Sequence, residues 1–206
     1  MPVDAELARS WVTGFADSVT AAKDELTKLD QAIGDGDHGS NMSRGLTQAV
    51  AKLAGDTPGD VLKGVGRTLI STVGGASGPL YGTAFREAGK ALGDAASADD
   101  TAFAAALRAG MDGIIRLGKA ETGDKTMIDA WTPALAALDA ALAGGSSLAD
   151  ATAAAAAAAA DGAEATIPLQ ARKGRASYLG PRSVGHQDPG ATSTTMLFAT
   201  LAKAAG

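Results

Sequence analysis

The sequence predicts an all-α fold in a single domain, and three observations lead to this prediction. Apolar residues recur every three to four positions in eight segments of the 206-residue chain. Alanine supplies much of the 46% of residues that are hydrophobic, and alanine has the highest helix propensity. No segment combines strand-like alternation with enrichment in β-branched residues. A bundle of about eight helices follows, because helices this short are stable only when packed together.

The N-terminal half of the chain contains four of the predicted helices. Asp4 can cap the first, because its side chain can accept hydrogen bonds from the free N–H groups of a helix start. The third begins near Asp60 and ends at Gly74-Gly75, and Pro79 suits the first turn of the fourth. The apolar stripes that predict these helices are Leu7, Trp11, Phe15 and Val19; Met42, Leu46, Val50 and Leu53; Val61, Val65, Leu69 and Val73; and residues 79–92.

The C-terminal half contains the other four. The fifth helix ends near Gly118, the sixth ends at Gly144-Gly145, and Ser147 can cap the seventh, which is rich in alanine. The eighth lies at the C-terminus. The stripes that predict these helices are Phe103, Leu107 and Met111; Met127, Trp131, Leu135, Leu138 and Leu142; the alanines 153–160; and Met196, Leu197 and Leu201.

One connection, residues 170–191, is much longer than the others. Loops of this length in compact domains are commonly functional or disordered. The loop carries His186, Asp188 and four basic residues, which are Arg172, Lys173, Arg175 and Arg182. We therefore expect it either to close over an anion, since guanidinium groups clamp phosphate well, or to be a solvated surface loop.

Composition and charge exclude several classes of function. The net charge is −5 and the pI about 5.0, so the basic surface of a nucleic-acid-binding protein is absent. The chain has no cysteine, which excludes disulfides, thiolate catalysis and cysteine-ligated zinc. The first residues lack the features of a signal peptide, and no apolar run approaches the roughly 20 residues that span a membrane. The expected protein is cytoplasmic and binds neither nucleic acid nor membrane.

The most unusual segment is the acidic, glycine-rich stretch 30–41. Asp30, Asp35 and Asp37 lie close together in it, and His38 follows directly. Carboxylates held together repel one another unless a cation lies between them, and oxygen ligands suit Mg²⁺ or Ca²⁺. The stretch therefore predicts a divalent metal site that also binds phosphate. The alternative is an acidic surface turn that caps the following helix.

Two other interpretations of this stretch do not fit. The Gly-x-Gly-x-x-Gly spacing at 34–39 matches a dinucleotide-binding fingerprint, but the preceding segment has a helical pattern where that motif needs a buried strand. An EF-hand loop that starts at Asp35 needs glycine at its sixth position and glutamate at its twelfth. This chain has Ser40 and Leu46 there.

Three glycine-rich loops precede predicted helices, at 39–41, 74–78 and 188–193. Each offers backbone N–H groups at a helix N-terminus, where unsatisfied donors and the helix dipole favour phosphate. A single loop of this kind is usually only a cap. Three of them beside an aspartate cluster indicate an anion site where several helix ends meet. Neither His38 nor His186 has a serine or cysteine nucleophile in an obvious arrangement in the sequence, so a hydrolytic triad is not supported.

Together these segments resemble the nucleotide-binding L-subunit family of the dihydroxyacetone kinases. Three blocks carry the resemblance, residues 123–127 (Gly-Asp-Lys-Thr-Met) support it, and it covers nearly the whole chain in the family's order. The blocks are Asp30 with 34–42 (Gly-Asp-Gly-Asp-His-Gly-Ser-Asn-Met), 74–83 (Gly-Gly-Ala-Ser-Gly-Pro-Leu-Tyr-Gly-Thr), and 171–180 with 185–191. The resemblance implies an antiparallel eight-helix barrel over residues 1–206, with ADP (or ATP) and two Mg²⁺ at one end.

The resemblance also implies roles for particular positions. The Mg²⁺ ligands would be Asp30, Asp35 and Asp37. The nucleotide-side residues would be His38, Gly39, Ser40, Asn41, Ala76, Ser77, Gly118, Met127, Arg175, Asp188, Pro189 and Gly190. No residue of the chain is expected to become covalently phosphorylated.

The family implies a kinase subunit that works with a separate K subunit holding dihydroxyacetone. In the phosphotransferase-system form, a phosphohistidine protein rephosphorylates the retained ADP. In the ATP-dependent form, the L-like domain is usually fused to a K-like domain, so the end of the chain at residue 206 leads us to expect a stand-alone subunit. One alternative is an L-type subunit that uses free ATP on dihydroxyacetone, another ketose or a sugar acid. A second alternative is a nucleotide-dependent regulatory module that contacts a transcription regulator. A homodimer is a further expected assembly.

Overall fold

Nine α-helices account for most of the chain in the computed structural model, which describes residues 2–206. They are α1 (Ala5–Ala21), α2 (Lys23–Ile33), α3 (His38–Ala51), α4 (Pro58–Thr72), α5 (Ser77–Leu92), α6 (Asp100–Gly118), α7 (Ile128–Ala143), α8 (Leu148–Glu164) and α9 (Pro189–Ala205). A 3-10 helical segment, Arg175–Ser183, precedes α9. The predicted all-α fold is confirmed.

The nine helices in residues 2–206 include one that the apolar stripes did not single out, α2. Its buried face consists of Leu26 and Ile33, with the carboxylate of Asp30 between them. A polar residue at the middle of the stripe hides the helical period. The break from α1 occurs at Ala22, without a glycine or proline to mark it, so the sequence gives no signal for two helices.

Strands play a minor part in residues 2–206. β1 (Val3–Asp4) pairs antiparallel with β2 (Ser97–Ala98), with Val3 opposite Ala98. Asp4 also caps α1 as expected, because its side chain accepts hydrogen bonds from the N–H groups of Glu6 and Leu7 at 3.0 and 2.9 Å.

A main apolar core draws on all nine helices. Aromatic rings meet in it as tilted or edge-on pairs, which suit their quadrupoles. Trp11 and Phe85 lie 5.5 Å apart between ring centroids, and Trp131 and Phe198 lie 4.9 Å apart. No helix within residues 2–206 has the length and apolar character needed to cross a bilayer. The assignment of the whole chain to one nucleotide-binding domain stays a prediction.

Helices α4 and α5 approach each other closely at two pairs of glycines. A Cβ atom added to Gly66 would lie 2.5 Å from the carbonyl oxygen of Gly82, and one added to Gly82 would lie 2.8 Å from that of Gly66. Gly59 and Gly89 form the second pair. A Cβ atom added to Gly59 would lie 2.8 Å from the carbonyl oxygen of Gly89, and one added to Gly89 would lie 2.6 Å from that of Gly59. Real Cβ contacts are not this short, so the two backbones can pack at this distance only because both partners are glycine.

Candidate functional site

A pocket of about 190 Å³ opens at the end of the bundle where α2 finishes and α3, α5 and α9 begin. The connection between α6 and α7 and the segment 173–176 supply the remaining walls. Helix N-termini that face one space bring together backbone donors and the positive ends of helix dipoles. The expectation that several helix ends meet at one place is therefore met by the geometry.

The three aspartates of the acidic stretch lie together at one side of this pocket. Asp30, Asp35 and Asp37 each place a carboxylate oxygen within 4.8 Å of the others. Asp30 is buried, and one of its oxygens accepts hydrogen bonds from the N–H groups of Asp37 (2.8 Å) and His38 (3.0 Å). Three hard oxygen donors at this spacing fit Mg²⁺ or Ca²⁺.

Arg175 reaches the same cluster from the 3-10 segment. Its Nε atom lies 2.7 Å from a carboxylate oxygen of Asp35, and both side chains are substantially exposed. An exposed ion pair of this kind contributes little to stability, typically below about 1 kcal/mol. The guanidinium is therefore free to exchange Asp35 for a phosphate group at small cost.

The imidazole of His38 joins the N-termini of three helices. Its Nδ1 lies 2.9 Å from the hydroxyl of Ser77 at the start of α5, and its Nε2 lies 3.0 Å from the hydroxyl of Ser193, the fifth residue of α9. Burial lowers the pKa of His38, although Asp30 and Asp37 oppose that shift. The ring therefore serves as a neutral link between α3, α5 and α9, with one nitrogen donating and the other accepting.

Tyr81 extends this network beneath the pocket. Its buried hydroxyl lies 2.7 Å from that of Ser193 and 3.0 Å from that of Thr194, and it donates to the carbonyl of Gly190 at 3.3 Å. Burial raises the pKa of Tyr81, so the phenol stays protonated. Sequence reasoning assigned no role to Tyr81. Its spacing of four residues from Ser77, on one face of a helix, was the available signal.

Replacing Tyr81 with phenylalanine should lower the free energy of unfolding by about 1–2 kcal/mol, because it leaves buried hydroxyls and a carbonyl with fewer partners. Urea unfolding of the nucleotide-free protein measures this change. Tyr178→Phe is the matched control, since Tyr178 is 87% exposed. Equal stability of the two variants would contradict the structural role of the hydroxyl.

Most of the residues predicted to contact metal or nucleotide line the pocket. These are Asp30, Asp35, Asp37, His38, Ala76, Ser77, Met127, Arg175, Asp188, Pro189 and Gly190. Four predicted residues lie outside the lining. Gly39 packs against α2, where an added Cβ would lie 2.6 Å from the hydroxyl of Thr27. Ser40 is exposed, Asn41 is buried, and Gly118 lies beside the pocket residue Leu80.

Asp188 caps α9 from a buried position. Its carboxylate accepts a hydrogen bond from the N–H of Ala191 at 2.7 Å, and its own N–H donates to the hydroxyl of Thr166 at 3.0 Å. Burial raises the pKa of Asp188 to about 7, with a further contribution from Asp129, while the Ala191 N–H acts in the opposite direction. The nucleotide-free site thus contains a carboxyl group that titrates near neutral pH.

This raised pKa predicts a pH dependence of stability in the nucleotide-free, metal-free protein. The native state keeps the Asp188 proton up to about pH 7, whereas the unfolded chain releases it near 3.8. The resulting stabilisation is complete below about pH 4 and is lost as the pH rises through 7, with an upper limit of about 4 kcal/mol.

Urea unfolding between pH 4.5 and 8 would measure this loss in the presence of a chelator. Asp188→Asn should flatten the dependence, because the amide oxygen can still cap α9 but carries no titrating proton. Asp99→Asn is the matched control, since Asp99 caps α6 in the same way from an exposed position. A slope unchanged by Asp188→Asn would show that this carboxyl does not titrate in the window.

Comparisons with known proteins agree on one family. The model of the DAK2 domain matches residues 32–203. The chain is 47% identical over 199 residues to the PEP-dependent dihydroxyacetone kinase, ADP-binding subunit DhaL, of Escherichia coli (strain K12), covering 95% of each chain. It is 45% identical over 201 residues to a subunit of the same description from Listeria innocua, covering 96% of each. With the D-erythrulose kinase of Mycolicibacterium smegmatis the identity is 38%, over 91% of this chain and 33% of that protein.

The fold is similar to solved structures of the dihydroxyacetone kinase of C. freundii. The native form superposes with a TM-score of 0.72, and the complex with AMP-PNP and Mg²⁺ with a TM-score of 0.74. Both are 28% identical to this chain, which they cover to 96% and 98%. The chain spans about a third (34%) of the length of these kinases.

Proposed function

Because the chain belongs to the DAK2 domain family, we propose that it is the ADP-binding subunit of a dihydroxyacetone kinase whose phosphoryl donor is a phosphohistidine protein of the phosphotransferase system. The single observation that carries the proposal is the cluster of Asp30, Asp35 and Asp37 beside three helix N-termini in one pocket. Two PEP-dependent subunits, at 45 and 47% identity, exceed the 38 and 42% of two erythrulose kinases, which supports the choice of donor, although another PEP-dependent subunit is 39% identical.

In the proposed mechanism the chain supplies position and charge. Asp30, Asp35 and Asp37 would hold two Mg²⁺, and bound Mg²⁺ would neutralise the phosphate charge that the aspartates alone would repel. Bound ADP would supply the phosphoryl acceptor and, once phosphorylated, the donor to dihydroxyacetone. The N-termini of α5 and α9 would offer N–H groups to phosphate oxygens, and the network of His38 holds the starts of α3, α5 and α9 together.

Two further residues are assigned to the ends of the nucleotide. Arg175 would leave Asp35 and bind the transferred phosphoryl group, whose charge its guanidinium stabilises. Met127 lines the pocket and is buried, so its thioether can pack against the base. No side chain of this protein needs to form a phosphoryl bond, because phosphoryl transfer of this type depends on alignment and electrostatics.

The end of the bundle that carries the pocket also offers a docking surface. The exposed large apolar residues within the described part of the chain are Ile70, Leu117, Tyr178 and Val184. Ile70 and Leu117 lie in the last turns of α4 and α6, which lead into the pocket walls. Tyr178 lies in the 3-10 segment, and Val184 follows it directly. Their positions in elements that lead to or adjoin the pocket walls support docking of the K subunit and of the phosphohistidine protein at the open end.

A reconstituted assay tests the proposal. The purified chain is combined with a K subunit and dihydroxyacetone, and either a phosphohistidine donor or ATP is supplied. Turnover with the donor, together with ADP retained in native mass spectra after dialysis, is the expected result. A protein without nucleotide that turns over only with ATP would contradict the choice of donor, and no turnover under either condition would contradict the kinase function.

The ATP-dependent kinase is the second candidate. Two comparisons favour it, the similarity to the D-erythrulose kinase over 91% of this chain and the AMP-PNP complex of the C. freundii enzyme. Under this alternative the nucleotide exchanges at every turnover, and another ketose could be the substrate. The same assay decides between the two candidates.

A further inference from the structure

The long connection between α8 and α9 leaves the helix bundle and returns to it, so that its two ends lie side by side. The N–H of Gly185 donates to the carbonyl of Ile167 at 2.8 Å, and the N–H of Asp188 donates to the hydroxyl of Thr166 at 3.0 Å. Compact loops with adjacent ends are frequently functional. Residues 168–184 therefore form a closed loop, and this loop carries Arg175 to the pocket.

The outer part of this loop is held by a small apolar cluster. Ala171, Ala176 and Leu179 pack against Ile33 at the end of α2. Three or four small contacts bury little area, so they cannot fix the loop firmly by themselves. The base of the loop must contribute to its position.

Lys125 lies directly at that base. Its side chain is only 1% exposed, and its backbone has a φ of 62°, which is unusual for a residue other than glycine. The ammonium donates to the carbonyl of Thr166 at 2.6 Å, to that of Ile167 at 3.4 Å, and to that of His186. These acceptors belong to both ends of the loop, and they match the three donors of an ammonium group.

The charge of Lys125 is held by carbonyl dipoles rather than by an ion pair. Burial lowers the pKa of Lys125, while the nearby charges of Asp188 and Asp129 oppose that shift. No carboxylate of residues 2–206 forms a salt bridge with the ammonium. Convergent backbone carbonyls are the ligands that a bound monovalent cation uses. Lys125 occupies such a site with its own side chain.

We propose that the Lys125 ammonium is a built-in cation that closes the base of the loop 168–184 and so positions Arg175 and Asp188 in the pocket. We call the hydrogen bonds from the Lys125 ammonium to the two ends of the loop the clamp. The neighbouring residue adds to the clamp, because the carbonyl of Asp124 accepts a hydrogen bond from the N–H of Arg172 at 3.0 Å. Lys125 is a positioning residue, and its effect on nucleotide affinity rests on the proposed function.

Hydrogen exchange, measured by mass spectrometry on peptides from residues 167–188, tests the clamp without nucleotide. Lys125→Gly removes the ammonium and suits the positive φ. Lys119→Gly is the matched control, because Lys119 has a φ of 53° and is exposed. We expect exchange in these peptides to be at least about tenfold faster in Lys125→Gly and unchanged in Lys119→Gly.

Chemical rescue separates a cation site from a merely structural side chain. Ammonium or methylammonium chloride should restore slow exchange in Lys125→Gly, whereas tetramethylammonium chloride at the same ionic strength has no N–H donors and should not. The affinity for Mg²⁺–ADP, measured by calorimetry, should fall at least about tenfold and return with ammonium. Wild-type exchange rates in Lys125→Gly, or equal rescue by tetramethylammonium, would overturn the proposal.

Two outcomes need separate treatment. If the wild-type protein binds no Mg²⁺–ADP, the proposed function fails. The hydrogen-exchange rates still test the clamp in that case, because they are measured without nucleotide. If Lys125→Gly does not fold, Lys125→Arg and Lys125→Met decide, because the first keeps a cation and the second is neutral and similar in length. Slow hydrogen exchange in Lys125→Arg but fast exchange in Lys125→Met would support the clamp. Equal exchange rates in the two variants would refute it.

Discussion

Replacing Asp37 with asparagine should weaken Mg²⁺–ADP binding by at least about 100-fold, because it removes one of the three carboxylates proposed to hold the metal. The nucleotide-free protein should be as stable as the wild type or slightly more stable. The side chain of Asp37 accepts no hydrogen bond within residues 2–206, and its charge lies within 4.8 Å of two other carboxylates. Calorimetric titration and urea unfolding measure the two effects.

Two variants sharpen this result. Asp30→Asn should lose binding and part of the stability, because a neutral amide oxygen accepts the two N–H bonds at the start of α3 more weakly than the buried carboxylate does. Asp112→Asn removes a charge from an exposed position on α6 and should leave both quantities unchanged. Near-wild-type binding and turnover in Asp37→Asn would exclude the metal role of this aspartate.

Replacing Gly66 with alanine should lower the free energy of unfolding by about 2–3 kcal/mol. The new methyl group would lie 2.5 Å from the carbonyl oxygen of Gly82 and 2.7 Å from the backbone nitrogen of Arg86, so α4 and α5 must move apart. A loss of this size is a large fraction of the roughly 5–15 kcal/mol that stabilises a domain. Urea or thermal unfolding measures it.

Gly64→Ala is the matched control on the same helix. A Cβ at Gly64 would meet no atom within 4 Å, so the substitution should stabilise the protein by about 0.5–1 kcal/mol through helix propensity alone. Opposite signs for the two substitutions would establish close backbone packing as the cause. Stabilisation by Gly66→Ala would show that the helices can separate without loss.

Residues close together in the sequence carried most of the correct predictions. The apolar stripes located eight of the nine helices of residues 2–206, and Asp4 and Ser147 cap helices as predicted. The acidic stretch 30–41 places its carboxylates together because only a short turn separates α2 from α3. α2 itself did not stand out, since Asp30 interrupts its apolar face.

The chain alone therefore determined the all-α class, the aspartate cluster and the glycine-rich helix starts, because each depends on residues a few positions apart. Only the tertiary structure decided which distant residues these parts contact. His38 contacts a serine 155 residues away, and Lys125 contacts a carbonyl 61 residues away. Such contacts depend on how helices cross, and the α4–α5 crossing is in turn set by glycines whose effect is visible only once the facing backbone is known. Periodicity describes one helix face at a time, so it cannot identify the partner of a buried polar group.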